Sequence, residues 1–405
     1  MYFSRKCFAD WHRSRFGAQV ARIERQLARS PENVEVRSRL LLAYSKELAR
    51  CNRTTLKGTA PLAPCSDFLE LVHLHGMEFL KASLEASTAK RIQSVMDTLL
   101  DLKDFQLYPL IARFAVTLAR HEESLSEFDW KGELQERATM FHYETALQLL
   151  KSVKCLEEAQ EVFDEAVSLE RGGQRMIAWT KLWQTPSVYV RGLRPVSAWW
   201  EATDLPLAEV LEENMSAIRS ELQGLLEKGG QMIVDPAYPR LTSMGDWDVI
   251  RLYYNKHWDP TAVALAPKTT ELLRDKLPGA SNGLPYIHYN TEEVCFFRMT
   301  PGTRVMMHSG GCNARLNLSL GLLGCSDSFI EVAGEERRWR NGEMLAFDDS
   351  CDHSARHDGE EDRWVLTVGV MHPDLVERPE IFRDVGQWRS EYESFGPEVW
   401  EKKHA

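Results

Sequence analysis

From about Glu32 to Glu170 apolar residues recur at steps of three and four. Leu134, Ala138, Phe141, Thr145 and Leu149 fall on one line, as do Leu156, Ala159, Phe163 and Ala166, so each segment has one apolar face of an α-helix. The two segments meet near Lys154, which predicts an antiparallel hairpin. Several such hairpins predict an all-α domain of repeat type, although no strict 34-residue tetratricopeptide pattern is legible and a plain bundle satisfies the same spacing. Proline and glycine are scarce here except near Pro61, Pro64 and Gly76, and Gly172-Gly173 reads as a helix stop. The domain boundary is therefore expected near residue 175.

Beyond it the period changes. Met176 to Thr291 is mixed, with a strand over Val249 to Tyr254, a helix around Thr270 to Leu277 and a loop at Pro278 to Pro285. Apolar and polar residues then alternate from Arg315 to Leu322, around Phe329 to Val332, from Met344 to Phe347 and from Val365 to Val370. Turn signals separate these runs (Pro301-Gly302, Gly310-Gly311, Gly334, Asn341-Gly342, Asp358-Gly359), and short strands so punctuated predict a rolled antiparallel barrel. The chain is thus expected to be α+β: helices over 1–175, a barrel domain over 176–385 and a short helical tail over 386–405.

Composition narrows the class. The 405 residues are 43% hydrophobic and 27% charged with a net charge of −11, a globular composition with no overall basic field to attract nucleic acid. No apolar run approaches the roughly 18 residues of a membrane span. Residues 1–25 are rich in Arg and aromatic residues, which fits a basic amphipathic first helix better than a secretory signal and leaves organelle targeting open. Eight scattered cysteines without a CxxC pair resemble neither a zinc framework nor a disulfide scaffold, and a cytoplasmic, reducing location is expected.

Chemistry concentrates between Phe296 and His372. His308, His353 and Arg363 follow one another in an order that can build an iron site. Two neutral imidazoles from different strands, with open coordination positions left over, suit non-haem Fe(II), and a guanidinium on the strand after Asp358-Gly359 can grip a dicarboxylate by paired charge-assisted bonds. Twelve histidines allow chance triplets, so the order alone leaves a structural role for each residue open. Trp199, Trp200 and Trp247 are read as packed core rather than as a cleft lining. His357 and His372 are read as strand or turn residues. Asp348, Asp349 and Asp352, around the second histidine, are expected to bond backbone amides and to orient His353 rather than to bind metal.

The segments PGTRVMMHSGGCNARLNLSLGL, FDDSCDH and RWVLTVGVMHPDL resemble, in order and spacing, the catalytic domain of the aspartyl/asparaginyl β-hydroxylase family of 2-oxoglutarate oxygenases. WQTPSVYVRGLRPVSAWW, GDW and APKTTELL resemble further landmarks, so the likeness covers roughly residues 180 to 376. It implies a double-stranded β-helix of jelly-roll or cupin type, Fe(II) as cofactor and 2-oxoglutarate as co-substrate. It makes His308 and His353 the metal ligands and Arg363 the anchor for the distal carboxylate of 2-oxoglutarate. The implied acceptor is an aspartyl or asparaginyl side chain in a peptide or protein. Most Fe(II) oxygenases of this fold carry an acid two positions after the first histidine; here, as in the β-hydroxylases, that position is glycine, Gly310. Animal members carry an N-terminal membrane helix and a cysteine pair around APKT, where this chain has Val263 and Thr270.

The sequence also departs from the family. Where Arg-Leu-Arg-x-His is usual, this chain reads Arg315, Leu316, Asn317, Leu318, Ser319. Period two puts Arg315, Asn317 and Ser319 on one face. Arg315 and Asn317 are then expected at the substrate, and Asn317 and Ser319 at the co-substrate. A serine that helps hold the distal carboxylate is replaced by Phe297. These losses leave three readings: a peptide hydroxylase, a barrel that binds a peptide or protein without turnover, and an oxygenase of a small molecule or lipid. The third ranks below the first because lipid-acting relatives keep the acid that Gly310 lacks. Oligomeric state is not legible.

Overall fold

The computed structural model describes residues 15–30, 33–56, 65–82, 89–102, 104–124, 132–171, 173–186, 189–194, 197–205, 207–227, 235–236, 241–254, 257–277 and 292–378. The basic segment up to residue 14, the loop at 278–285 and the tail at 386–405 lie outside these. Contacts divide the chain into two compact units, Met1–Ile177 and Ala178–Ala405.

The first unit is helical: α1 (Arg15–Arg29), α2 (Val34–Leu56), α3 (Cys65–Ala82), α4 (Ala89–Leu100), α5 (Tyr108–Ser124), α6 (Gly132–Ser152) and α7 (Leu156–Ser168). In α7 the expected face is buried through Ala159, Phe163 and Ala166, while its first member, Leu156, is exposed. Glu157 and Glu158 in its first turn complement the helix dipole. In α6 the expected line holds at Leu149 and fails at Phe141, while Leu134 and Ala138 lie outside the described side chains. Phe141 is 40% exposed, and the buried line runs through Met140, Tyr143, Leu147 and Leu150. The segment holds two apolar lines, and packing chose the one that brings the Tyr143 hydroxyl to Glu165 of α7 at 2.8 Å. Lys154, at φ +60°, turns the chain between the two helices. Helix α7 already ends at Ser168, before the glycines. Gly173, at φ +77°, instead turns a hairpin between β1 (Glu170–Arg171) and β2 (Gln174–Arg175).

The second unit is built on two antiparallel sheets among its described residues. The larger runs β3 (Trp199–Trp200), β13 (Met344–Asp348), β10 (Arg315–Leu323), β15 (Arg363–Met371), β8 (Glu293–Met299), β6 (Trp247–Tyr254) and β4 (Asp235–Pro236), with β7 (His257–Trp258) also on β6. The smaller runs β12 (Glu335–Trp339), β11 (Ser328–Val332), β14 (His353–His357), β9 (Arg304–His308) and β5 (Thr242–Met244).

Period two sorts the large sheet into two faces. Leu316, Leu318 and Leu320 of β10, Phe296 of β8, and Leu366 and Val368 of β15 pack with Leu211, Ile218 and Leu222 of α8 (Ala208–Glu227) and with Leu273 of α10 (Pro267–Arg274), which follows α9 (Pro260–Leu265). Each such leucine contributes roughly 1.5–3 kcal/mol by leaving water. Alternate residues, among them Val249, Cys295, Phe297 and Val365, face Ile330, Val332 and Trp339 of the small sheet. A slip of one residue in β10 would exchange the leucines for Arg315, Asn317 and Ser319, so burial on both faces fixes the register.

Candidate active site

Both histidines sit on the small sheet. His308 closes β9 and His353 opens β14, and the two stand directly opposite each other across the strand pair. Their rings lie 4.1 Å apart, centroid to centroid, inclined at 54°. Each Nδ1 is 2.8 Å from a carbonyl oxygen two residues back, that of Met306 for His308 and that of Cys351 for His353. A carbonyl only accepts, so each Nδ1 is the donor in its contact, and Nε2 is the ring nitrogen that a neutral imidazole would offer to a ligand. Burial, then the neighbouring His353, push His308 down to about 3, and it is neutral near pH 7. Trp247 at 5.9 Å and Phe347 at 5.3 Å flank the pair, and Trp247 is packed against the inter-sheet core, as the sequence reading expected, while also touching His308. His308 is half-buried and His353 is buried.

Asp349 lies beside the histidines, its Oδ1 3.8 Å from His353 Nε2. Arg315 forms a short ion pair with its Oδ2, and Asn317 Nδ2 donates to its Oδ1 at 2.5 Å. Glu293 stands 3.5 Å from the same guanidinium. Burial alone would raise the Asp349 carboxyl, but Arg315 and the two histidines bring it below the usual carboxylate range. Gly310 explains how Asp349 fits: a Cβ there would lie 1.8 Å from Asp349 Oδ2, while the Gly310 N–H donates to the Asp349 carbonyl at 2.7 Å. Among the described residues no three or more His, Cys, Asp or Glu already form a metal-ligand set. Two imidazoles whose Nδ1 atoms are held by backbone carbonyls, next to a carboxylate, are a donor set that suits a divalent first-row ion such as Fe(II).

The opposite end of the inter-sheet space holds Arg363, 2% exposed. Its Nε donates to Ser328 Oγ at 3.2 Å, an Nη meets Met299 Sδ at 2.7 Å, and its guanidinium lies 4.4 Å from the centre of the Trp339 ring. No carboxylate pairs with it among the described residues. Desolvation pushes it down to about 10, so it is still a cation near pH 7. Ser319 is one step removed: its Oγ accepts from Trp339 Nε1 at 3.2 Å and lies 3.3 Å from Thr367 Oγ1, which fixes the ring on which Arg363 rests. Phe297 lies between the two ends, its ring 5.6 Å from Trp247.

The other candidates are structural. Asp348 Oδ1 accepts from the Ser350 N–H and hydroxyl at 2.9 and 2.6 Å, and Gln184 donates to its Oδ2 at 3.2 Å. His357 Nε2 is 2.6 Å from the Glu361 carbonyl, and His372 Nδ1 accepts from the Asp374 N–H at the start of α11 (Pro373–Glu377). Ser328, Met299 and Trp339, which surround Arg363, were missed by sequence reasoning. Trp339 ends a strand reading EERRW, whose charges hide it, and only its place at the strand end marks it as the inward residue. Cys295, Cys312, Cys325 and Cys351 are free thiols buried in this unit.

Comparison with known proteins adds a family. Residues 212–373 match the family described as Aspartyl/Asparaginyl beta-hydroxylase. The human aspartyl/asparaginyl beta-hydroxylase is 31% identical over 214 residues, 50% of this chain but only 26% of that protein. The ornithine lipid ester-linked acyl 2-hydroxylase of Rhizobium tropici is 23% identical over 218 residues, covering 46% of this chain and 71% of that one. A crystal structure of a Pseudomonas putida prolyl-4-hydroxylase aligns over 39% of this chain and 87% of its own with 11% identity and a TM-score of 0.25. Among the described residues no helix is long and apolar enough to cross a membrane. With its ordered motifs and its matching relatives, the segment spanning residues 212–373 belongs to the aspartyl/asparaginyl β-hydroxylase family.

Proposed function

We propose that this chain is an Fe(II)- and 2-oxoglutarate-dependent hydroxylase of a protein or peptide side chain, built on a double-stranded β-helix. The observation that carries this is Arg363. A buried guanidinium without a counter-ion costs several kcal/mol, and a diacid whose far carboxylate meets it removes that cost. His308 and His353 would hold the metal through Nε2. Bound there, Fe(II) would couple dioxygen to the decarboxylation of 2-oxoglutarate, so that a C–H bond becomes C–OH while succinate and carbon dioxide leave. The chain's own part is positional. Backbone carbonyls fix the imidazole tautomers, Trp339 and Ser328 aim the guanidinium, and Phe297, Trp247 and Phe347 limit water between the two ends.

Arg315 narrows the acceptor. It already pairs with Asp349 and has Glu293 close by, so the field it offers a second anion is weak. An asparaginyl or other uncharged side chain therefore suits this pocket better than aspartate. The test is succinate release with matched Asn- and Asp-containing peptides, read together with a +16 Da product. Coupled turnover favouring the Asn peptide is expected. A folded, iron-loaded chain that releases no succinate with any peptide would instead support the second reading, a peptide-binding barrel, which the replacements at Phe297, Asn317 and Ser319 favour.

A further inference from the structure

We infer that the helical unit carries a docking groove for an acidic peptide segment, between α2 and α4. The groove lies wholly within the first unit. Glu35, Arg39 and Leu42 form one ridge of α2 at steps of four and three, and Lys90, Arg91 and Val95 come from the first two turns of α4. They border a space of about 650 Å³ that opens to solvent. In a chain with 60 acidic and 49 basic side chains this groove reverses the balance, since three cations line it against the one carboxylate of Glu35.

Glu35 is already paired with Arg91 across the two helices. Arg39 and Lys90 are exposed and meet no carboxylate among the described residues. Lys90 and Arg91 also stand in the first turn of α4, which holds no acid, so the positive end of the helix dipole adds to their field. Beside the charges the lining turns apolar, with Val95 buried and Leu42 half-buried. At about 1.5 Å of rise per residue, Leu42 stands about 4.5 Å along its helix from Arg39, and Val95 about 6 Å from Arg91. An extended chain advances about 3.3 Å per residue, so the groove fits an acidic residue with an aliphatic one or two positions away. A bare phosphate would use the cations and leave the edge at Leu42 wet. Complementary charge together with this apolar edge therefore selects an acidic, leucine-bearing segment as the occupant.

The test is fluorescence anisotropy of two labelled peptides, GSDELDELSG and its amide counterpart GSNQLNQLSG, titrated with the full chain. The acidic peptide is expected to bind, more weakly as salt is raised, and the amide peptide to bind at least about tenfold less tightly. Arg39→Glu with Lys90→Glu is expected to weaken binding of the acidic peptide by at least about tenfold, and Leu42→Ser by about threefold. Lys181→Glu with Lys276→Glu makes the same change of net charge at exposed positions of the other unit and is expected to stay within about twofold. Glutamate at position 90 suits the start of a helix, so the fold should be kept; if circular dichroism shows that the double variant does not fold, Lys90→Gln alone should still lose about threefold. No binding of the acidic peptide, equal binding of the amide peptide, or wild-type affinity in the folded double variant overturns the inference. Phosphatidylserine vesicles that bind through Arg39 and Lys90 when the acidic peptide does not would also overturn it, in favour of a membrane surface.

Discussion

Two arginines face the space between the sheets, and they are compensated in opposite ways. Arg315 meets Asp349 and lies 3.5 Å from Glu293, so its charge is balanced within the fold. Arg363 meets a hydroxyl, a thioether and an indole face, and no carboxylate among the described residues. A balanced buried cation belongs to the architecture, whereas an unbalanced one is a standing cost that a ligand can relieve. The two ends of one inter-sheet space are therefore different kinds of site. One end fixes an acid beside two imidazoles, and the other holds a cation that meets no carboxylate among the described residues.

The sharpest way to break this contrast is to remove both charges in turn. Arg315→Met leaves Asp349 and Glu293 buried without their cation and is expected to cost about 3–5 kcal/mol in urea unfolding. Adding 2-oxoglutarate at a hundred times its dissociation constant to the chain already saturated with Mn(II) should stabilise the wild type by about a further 2.7 kcal/mol and leave Mn(II)-saturated Arg363→Met unmoved. Without diacid, Arg363→Met is expected to be neutral or more stable than wild type by about 1–2 kcal/mol, since it deletes a charge with no partner. A loss as large as that of Arg315→Met would mean that Arg363 is structural.

The smallest effect lies at the histidine pair. His308 in the folded chain resists protonation down to about 3, while the unfolded chain takes up that proton near 6.5. Stability is thus fully present above pH 6.5 and is lost as pH falls toward 3, by roughly 1 kcal/mol at pH 5.5. His308→Gln should flatten that part of the pH profile of unfolding, and an unchanged slope would mean that His308 does not carry it.

The strand pairs that hold the site were partly legible in the sequence. Alternation in β10, β13 and β15 marks three of the eight strands of the large sheet, most plainly in β10, where leucines fill one face and Arg315, Asn317 and Ser319 the other. Strand β8, EVCFFRM, is buried on both faces and shows no alternation, and β12 and β14 are short and charged, so none of the three announces itself. The order of His308, His353 and Arg363 was readable. The pairing of Asp349 with Gly310 was not, since it depends on two turns 39 residues apart being folded against each other. In α6 the spacing placed Leu149 correctly but not Phe141, because packing also buries the line through Tyr143 and Leu147.

The most direct measurement is an anaerobic titration of the full chain with Fe(II) and 2-oxoglutarate, followed by the weak visible charge-transfer band of the keto acid chelated to iron. The wild type is expected to develop the band at stoichiometric iron, His308→Ala and His353→Ala to lose it, and Arg363→Met to require far more 2-oxoglutarate. A folded wild type without the band, or an Arg363→Met titration that overlays the wild type, would contradict the assignment of these three side chains.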